Sequence, residues 1–278
     1  MTDWQQNAVT YRQFSGSGYL LPPTDFGASF GLLYAEKGNA RVYLGGEGVD
    51  LCQGQAVVLP ENMMLFAHAD TFARLQMLAC PTAVLRAMMQ LLDSDLFTLF
   101  LLQARMRPYV LTEEDSAYGE ATSAMSMAVV ECQAKEPCYL LMMHAQTGRL
   151  LAALLRQYAA EKTENDRLLY HNLSRMTEVI RYMETHADQK LSLSDLSEKM
   201  QLSPDYFSRL LYSCTGKTAK QYIQAIRLNE ALRLLAVTDL SVGEIAKRVG
   251  YSSTNFFGTL FLRTLSMTPT AYRQICQN

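Results

Sequence analysis

A chain of 278 residues is long enough for one or two domains with their own hydrophobic cores, and its formal net charge at pH 7 is −2. No uncharged run reaches the roughly 18 residues that a membrane-spanning helix needs, and the six cysteines form no CxxC pair. With no secretory signal in the opening residues, we expect a cytoplasmic protein with reduced thiols and no membrane contact.

The first 80 residues are predicted to form β-strands. Short runs rich in aliphatic and aromatic residues alternate there with Gly, Pro and Asn, which favour turns. The runs read FGLLYAEKG, ARVYLGGEG, VDLCQGQAVVLP and FARLQMLA. Their regular spacing predicts a small β-sandwich or β-barrel.

Helices are predicted from residue 82 to residue 165, because apolar residues recur there at helical spacing with few turn formers. The last of these helices carries a broad apolar stripe, which is either bundle core or a dimer seam. The stripe consists of Leu140, Met143, Leu150, Leu151, Leu154, Leu155 and Tyr158. A polar stretch follows, and we place a linker at residues 166–172 between a domain of residues 1–165 and a second domain of residues 173–278.

Two similar stretches in the second domain predict a repeated pair of short helices. The first, LSLSDLSEKMQLSPDYFSRLL, spans residues 191–211, and the second, LSVGEIAKRVGYSSTNFFGTLF, spans residues 240–261. In the first copy Ser194 is the predicted N-cap and Leu193 a predicted core residue, while Pro204 opens the second helix. Two short helices joined by a tight turn form a helix-turn-helix, whose second helix suits the DNA major groove.

A helical spacer, AKQYIQAIRLNEALRLLA, connects the two copies. At about 1.5 Å per residue such a helix is roughly 28 Å long, close to the ~34 Å repeat of duplex DNA. One chain could then read two successive major-groove segments. The alternative is that two helical hairpins merely stack as an all-α domain. The charge distribution suits the first interpretation, since residues 1–171 carry 12 Lys and Arg against 18 Asp and Glu, and residues 172–278 carry 13 against 9.

About 100 residues at the C-terminal end resemble the DNA-binding domain of AraC/XylS-type transcription regulators. The residues that carry the resemblance are Arg227, Ala231, Leu234, Leu235, Ser241, Val242, Glu244, Ile245, Ala246, Gly250, Tyr251, Ser252, Phe257, Phe261, Thr268, Pro269, Tyr272 and Arg273. The resemblance implies an α+β protein. An N-terminal cupin-like β-barrel with following helices would precede a C-terminal all-α domain of two helix-turn-helix units joined by a linker helix.

The outward positions of the two second helices are the predicted DNA-binding residues. They are Tyr206, Ser208, Arg209 and Tyr212 in the first unit, and Thr254, Asn255, Phe256, Thr259 and Arg263 in the second. Arg209 can donate two hydrogen bonds to a guanine edge. Gly258, Thr259 and Leu262 depart from the longer polar or basic residues usual in the family, so we expect the second unit to make more phosphate and shape contacts.

The N-terminal half carries no metal-site pattern. Gly54, Gln55 and Pro60 resemble a cupin barrel segment in which Gln replaces the usual acidic residue. His68 is the single histidine of the predicted barrel, whereas a cupin metal site needs a cluster of ligands. We therefore predict no metal, no cofactor and no enzymatic activity.

The resemblance implies a sequence-specific transcription regulator, and an activator by analogy. Its expected partners are double-stranded promoter DNA, RNA polymerase and a second copy of the chain in a homodimer. The N-terminal half would sense a small-molecule effector or mediate dimerisation. The alternative keeps the same DNA-binding domain but places it under the control of a protein partner that docks on the N-terminal half.

Overall fold

The computed structural model describes residues 9–88, 94–161 and 167–277. The chain folds as two compact units, one of Met1–Leu44 and Val49–Lys162 and the other of Gly45–Gly48 and Thr163–Asn278. No helix within the described ranges combines the length and the hydropathy needed to cross a bilayer.

The first unit is built on an antiparallel sheet that curls into a nearly closed barrel. Its strands are β1 (Thr10–Asp25), β2 (Ser29–Lys37), β3 (Ala40–Leu44), β4 (Glu47–Leu51), β5 (Ala56–Leu59), β6 (Met64–Pro81) and β7 (Val110–Leu111). The long strand β6 organises the sheet, because it pairs with β1, β2 and β3. The order along the sheet is β4-β3-β6-β2-β5-β7, with β1 on β6. The predicted barrel is therefore confirmed.

The barrel interior is aliphatic. Along β3, Val42 and Leu44 point into the core, whereas Arg41 is half-exposed and pairs with Asp50 at 2.7 Å. The turn before β5 shows why Gln55 can replace an acidic residue, since its Oε1 accepts a 2.9 Å hydrogen bond from the Cys52 N–H. An amide oxygen performs this capping as well as a carboxylate would.

The described part of the first unit is completed by the helices α1 (Thr82–Met88), α2 (Ser94–Met106), α3 (Tyr118–Ala134) and α4 (Tyr139–Ala160). The predicted stripe on α4 is buried within the single chain from Met143 onward, whereas Leu140 is 37% exposed. The stripe is thus core along most of its length. The large apolar side chains that α4 presents to solvent, Leu140, Leu141 and Met142, all lie in its first turn.

From Arg167 to Gln277, the described part of the second unit consists of helices joined by short connections. Its helices are α5 (Arg167–Thr185), α6 (Leu193–Lys199), α7 (Pro204–Thr215), α8 (Ala219–Val237), α9 (Val242–Arg248), α10 (Thr254–Leu265) and α11 (Pro269–Gln277). The segment predicted as a linker, residues 166–172, is helical from Arg167 on, and residue 166 lies outside the described residues. Leu169, Leu173 and Met176 recur at helical spacing, so this polar stretch continues an amphipathic pattern.

The first helix of the first copy starts two residues earlier than predicted. Its N-cap is Ser192, whose Oγ accepts from the Asp195 N–H at 3.1 Å, while the Asp195 carboxylate accepts from the Ser192 N–H at 3.4 Å. Ser194 was the wrong N-cap, because only Ser192 has an acidic residue three positions later and can form this capping box. Leu193, predicted to be core, is consequently 38% exposed at the start of the helix.

Candidate nucleic-acid interface

The two sequence repeats fold as two helix-turn-helix units with the same local construction. In each, a helix of 7 residues is followed by one of 12 residues, α6 and α7 in the first unit and α9 and α10 in the second. The turns occupy residues 200–203 and 249–253, so the second is one residue longer. The apolar faces of α7 and α10 are buried, with Phe207 and Phe257 at the same helical position and both fully covered.

The recognition helices α7 and α10 have the same kinds of N-cap and C-cap. Ser203 caps α7 and Ser253 caps α10, and each serine hydroxyl accepts a hydrogen bond from the backbone N–H three residues on. Both helices end on a residue in the left-handed conformation, Gly216 with φ 69° and Ser266 with φ 57°. Serine adopts this conformation less easily than glycine, so the end of α10 is the more strained of the two.

The first helix of the second unit, α9, carries a capping box of its own. The Ser241 N–H donates to the Glu244 carboxylate at 2.8 Å, and the Ser241 Oγ accepts from the Glu244 N–H at 3.2 Å. Hydrogen bonds from Ser241 hold the pKa of the Glu244 carboxyl below its usual value. The helix start is therefore fixed by two residues that lie next to each other on the surface.

The spacer helix α8 is 19 residues long, which corresponds to roughly 28 Å. A capping box between Thr218 and Gln221 starts it. The buried residues of its inner face are Tyr222, Leu228, Ala231, Leu232, Leu234 and Leu235. The spacer is thus a packed core element rather than an exposed connection.

Arg227, near the middle of α8, ties the second turn to the rest of the unit. Its guanidinium donates to the carbonyl oxygens of Ala187 at 2.6 Å, Gly250 at 2.8 Å and Gln189 at 2.9 Å. It also lies 5.4 Å from the ring centroid of Tyr251. Charge-assisted bonds to three carbonyls fix the position of the second turn relative to the spacer helix.

Gly250 is required at this junction for two reasons. Its φ is +91°, a conformation that disfavours side chains, and a Cβ there would lie 2.5 Å from the Asp188 carbonyl oxygen. Next to it, burial raises the pKa of Tyr251 to about 12. Tyr251 therefore serves as a neutral, packed ring against which the turn is built.

The structure places the predicted residues of α7 on its outward side. Arg209 is exposed, Tyr212 is 57% exposed, and Tyr206 and Ser208 are partly exposed. The Arg209 guanidinium lies 5.9 Å from the Tyr206 ring centroid. This stacking orients the long side chain while leaving its donors free to face a ligand.

The predicted residues of α10 also lie on its outward side, but that side is far less polar. Thr254, Asn255, Thr259 and Arg263 are exposed, and Phe256 is 60% exposed. The Thr259 hydroxyl donates to the Asn255 carbonyl within the helix, so it is already occupied. The small or apolar residues Gly258 and Leu262 share this side, and Leu262 is 47% exposed.

A groove of about 520 Å³ runs between α8 and the start of α10, and the sequence patterns did not point to it. Lys190 and Lys220 line it together with Phe256, so two basic side chains lie beside the outward face of α10. Both lysines fall outside the repeated stretches, Lys190 before α6 and Lys220 in the first turn of α8. Only the fold brings them next to the second recognition helix.

His68, the histidine of the barrel, lies in β6 beside Tyr19 and Asp70. Its ring packs edge-on against Tyr19 at 5.0 Å, and its Nδ1 is 3.5 Å from the Asp70 carboxylate. Within the described ranges, no group of three or more His, Cys, Asp or Glu side chains is arranged to hold a metal ion.

The C-terminal unit is similar in sequence to known proteins. Residues 196–275 match a family model described as a helix-turn-helix domain. Regulatory protein PocR of Salmonella typhimurium is 36% identical over 101 residues, which are 36% of this chain and 33% of that protein. The HTH-type transcriptional activator RhaR of Mannheimia succiniciproducens is 33% identical over 131 residues, 47% of each chain. The chain thus matches about half or less of the length of these relatives.

The whole chain is similar in fold to a solved protein, ToxT. The crystal structure of ToxT from Vibrio cholerae has a TM-score of 0.57 and covers 98% of this chain and 100% of that chain, at 11% sequence identity. At this identity the likeness concerns the fold alone. It confirms the predicted fold class, a barrel with following helices and then a helix-turn-helix domain.

Proposed function

We propose that this protein is a sequence-specific transcription regulator of the AraC/XylS type, acting on promoter DNA in the cytoplasm, because residues 196–275 match a helix-turn-helix family model. The observation that carries the proposal is the duplicated helix pair on a packed spacer. Two outward-facing recognition helices of equal length are held by one rigid frame, in which Arg227 fixes the second turn. Such a frame suits two successive major-groove segments.

The two recognition helices read DNA by different chemistry. On α7, the exposed Arg209 forms paired hydrogen bonds to the edge of a guanine, with Tyr206, Ser208 and Tyr212 beside it. On α10, Phe256 and Leu262 are exposed and apolar. The thymine methyl group is the apolar feature of the major groove, so α10 reads thymine by contact with Phe256.

Phe256 is held in place for this contact. Its ring centroid lies 6.1 Å from that of Tyr251, which in turn packs against Phe257 at 5.4 Å and under Arg227. Because Phe256 already packs near the Tyr251 ring, its side chain loses little conformational entropy when DNA covers it. Lys190 and Lys220, beside the same ring, contact phosphates and give the binding its salt dependence.

The N-terminal unit controls DNA binding by sensing a small molecule or by docking another protein, and transcription activation requires contact with RNA polymerase. One observation supports the alternative that a protein partner docks on the N-terminal unit. Apolar side chains are exposed on α3 and on the first turn of α4, where Val130 is 55%, Leu141 68% and Met142 42% exposed. Exposed apolar groups of this kind mark contacts with another protein or with a second copy in a homodimer.

The proposal is tested by selecting bound duplexes from a random pool with the full-length protein at physiological salt. We expect one sequence motif to be enriched, with an affinity that falls steeply as salt is raised. An Arg209→Ala, Lys220→Ala double variant, taken through the same selection, is the control for enrichment by chance. If the wild type enriches no motif, and its binding to DNA does not depend on salt, the protein is not a DNA-binding regulator.

The thymine contact is tested by replacing thymine with deoxyuracil in the half of the DNA site that α10 contacts, which we call the second box. This replacement removes only the methyl group. We expect the affinity of the wild type to fall about three- to tenfold, on the order of 1 kcal/mol. The Phe256→Ala variant should bind both duplexes equally, because its contact is already missing. Deoxyuracil in the other box is the matched control. If the wild type does not distinguish the two duplexes, Phe256 does not read thymine.

A further inference from the structure

A second cavity lies in the N-terminal unit, apart from the barrel interior and from the DNA-binding unit. It measures about 570 Å³ and is formed by the end of α2, the connection from α2 to β7 and the end of α4. Its lining includes Arg107, Tyr109, Asp115, Tyr158 and Glu161. This volume suits a small organic ligand.

The electrostatics of the cavity favour a cation. The last turns of α2 and α4, helices of 13 and 22 residues, both contribute to its wall, so two helix C-termini with partial negative charge meet there. The carboxylates of Asp115 and Glu161 add two negative charges, and Arg107 is the one basic side chain in the described lining. Within the described part of the chain, neither carboxylate forms an ion pair.

The hydrogen bonds around the cavity bring both carboxylates to one nitrogen. The buried Gln157 Nε2 lies within reach of Asp115 Oδ1 at 2.5 Å, Tyr109 Oη at 3.0 Å and Glu161 Oε1 at 3.3 Å, and the Thr112 N–H and hydroxyl donate to Asp115 Oδ2 at 2.7 and 3.0 Å. The Tyr109 hydroxyl donates in turn to Glu161 at 3.2 Å. Because one nitrogen contacts both carboxylates, a single ammonium group from a ligand could lie against both.

Three packed aromatic side chains also line the cavity. Phe100 and Tyr158 are almost fully buried, and the Phe100 ring packs edge-on against Tyr109 at 5.7 Å and Tyr158 at 5.4 Å. Burial and the nearby Glu161 charge raise the pKa of Tyr109, so its hydroxyl stays neutral. Aromatic rings next to carboxylates provide a favourable setting for a cation with an apolar body.

We propose that this cavity binds a small organic ammonium ion. Its charged group lies between Asp115 and Glu161, and its apolar body lies along Tyr109 and Phe100. Arg107 also lines the cavity, and its positive charge disfavours a second cation and so favours ligands with a single positive charge. The proposal does not depend on the DNA-binding function, since every residue that carries it belongs to the N-terminal unit.

The test uses the full-length protein and three probes of similar shape: benzylamine, which is protonated at pH 7.5, neutral benzyl alcohol, and anionic benzoate. Binding is measured by calorimetric titration and by changes in the NMR signals of the ligand. We expect benzylammonium to bind at least tenfold more tightly than benzyl alcohol, and benzoate not to bind. The Glu161→Gln variant keeps the acceptor for Tyr109 and removes the charge, so it should weaken benzylammonium binding about tenfold.

The control variant is Asp70→Asn, which removes the same charge from a side chain that is 96% exposed on the barrel. We expect it to bind benzylammonium as the wild type does. The thermal unfolding temperature of each variant shows that it is folded. The proposal is overturned if no probe binds, if benzyl alcohol binds as well as benzylammonium, or if Glu161→Gln and Asp70→Asn weaken binding equally.

Discussion

Replacing Arg209 by alanine is expected to weaken binding to the selected DNA site by about 1–3 kcal/mol and to remove discrimination at one base pair. Arg209 is the exposed side chain of α7 that can donate two parallel hydrogen bonds to a guanine, and stacking near Tyr206 orients it for this purpose. The measurement is a titration of the full-length variant with the selected duplex and with duplexes changed at each position of the first box.

The matched control for Arg209 is Arg156→Ala, which removes the same exposed charge from α4 in the N-terminal unit and should leave affinity and discrimination unchanged. Two outcomes of the titration differ in meaning. A loss confined to one base pair makes Arg209 a base-reading residue, whereas an equal loss on every sequence makes it a phosphate contact. Unchanged affinity would remove α7 from the interface.

Replacing Phe257 by alanine should lower the free energy of unfolding of the C-terminal unit by about 3–5 kcal/mol. The Phe257 ring is fully buried and packs against Tyr251 at 5.4 Å and Phe261 at 5.7 Å, so its removal leaves a cavity under the second recognition helix. Urea unfolding of the full-length protein, followed by circular dichroism at a helical wavelength, measures the change. Because the chain has two units, the transition of the C-terminal unit is fitted separately.

The neighbouring residue offers the control for this loss of stability. Phe256→Ala removes the same side chain one position earlier, where it is 60% exposed, and should cost less than about 1 kcal/mol. Phe256 and Phe257 therefore separate recognition from stability: the first variant loses the thymine contact and the second loses stability of the C-terminal unit. Equal destabilisation by the two variants would contradict the packing described for α10.

The sequence predicted the helix-turn-helix units well because their determinants are local. Apolar spacing, a serine cap, Pro204 at the start of α7 and Gly216 at its end are all readable over a few residues. The error at Ser194 was also local, since Ser192 and Asp195 form the capping-box pattern that Ser194 lacks. The helical state of residues 167–172 was not predicted, because polar composition outweighed the helical recurrence of the few apolar residues there.

The features that the sequence did not predict depend on contacts between distant segments. The Arg227 guanidinium donates hydrogen bonds to carbonyl oxygens of residues 23 to 40 positions away. Every residue has a backbone carbonyl, so the residue type at those positions does not reveal the contact. The N-terminal cavity likewise combines side chains of α2, the following connection and α4, with Tyr109 and Gln157 separated by 48 positions. Long-range contacts of this kind follow from the fold rather than from any local pattern.

The central claim is that both helix-turn-helix units of one chain occupy successive major-groove segments, and hydroxyl-radical footprinting of the selected duplex tests it most directly. We predict two protected boxes on one face of the DNA, with centres about one helical turn, ~10–10.5 base pairs, apart. Arg209→Ala should weaken protection of one box and Phe256→Ala that of the other. A single protected box, unaffected by changes in α10, would contradict the claim and leave the second unit as a structural support for the first.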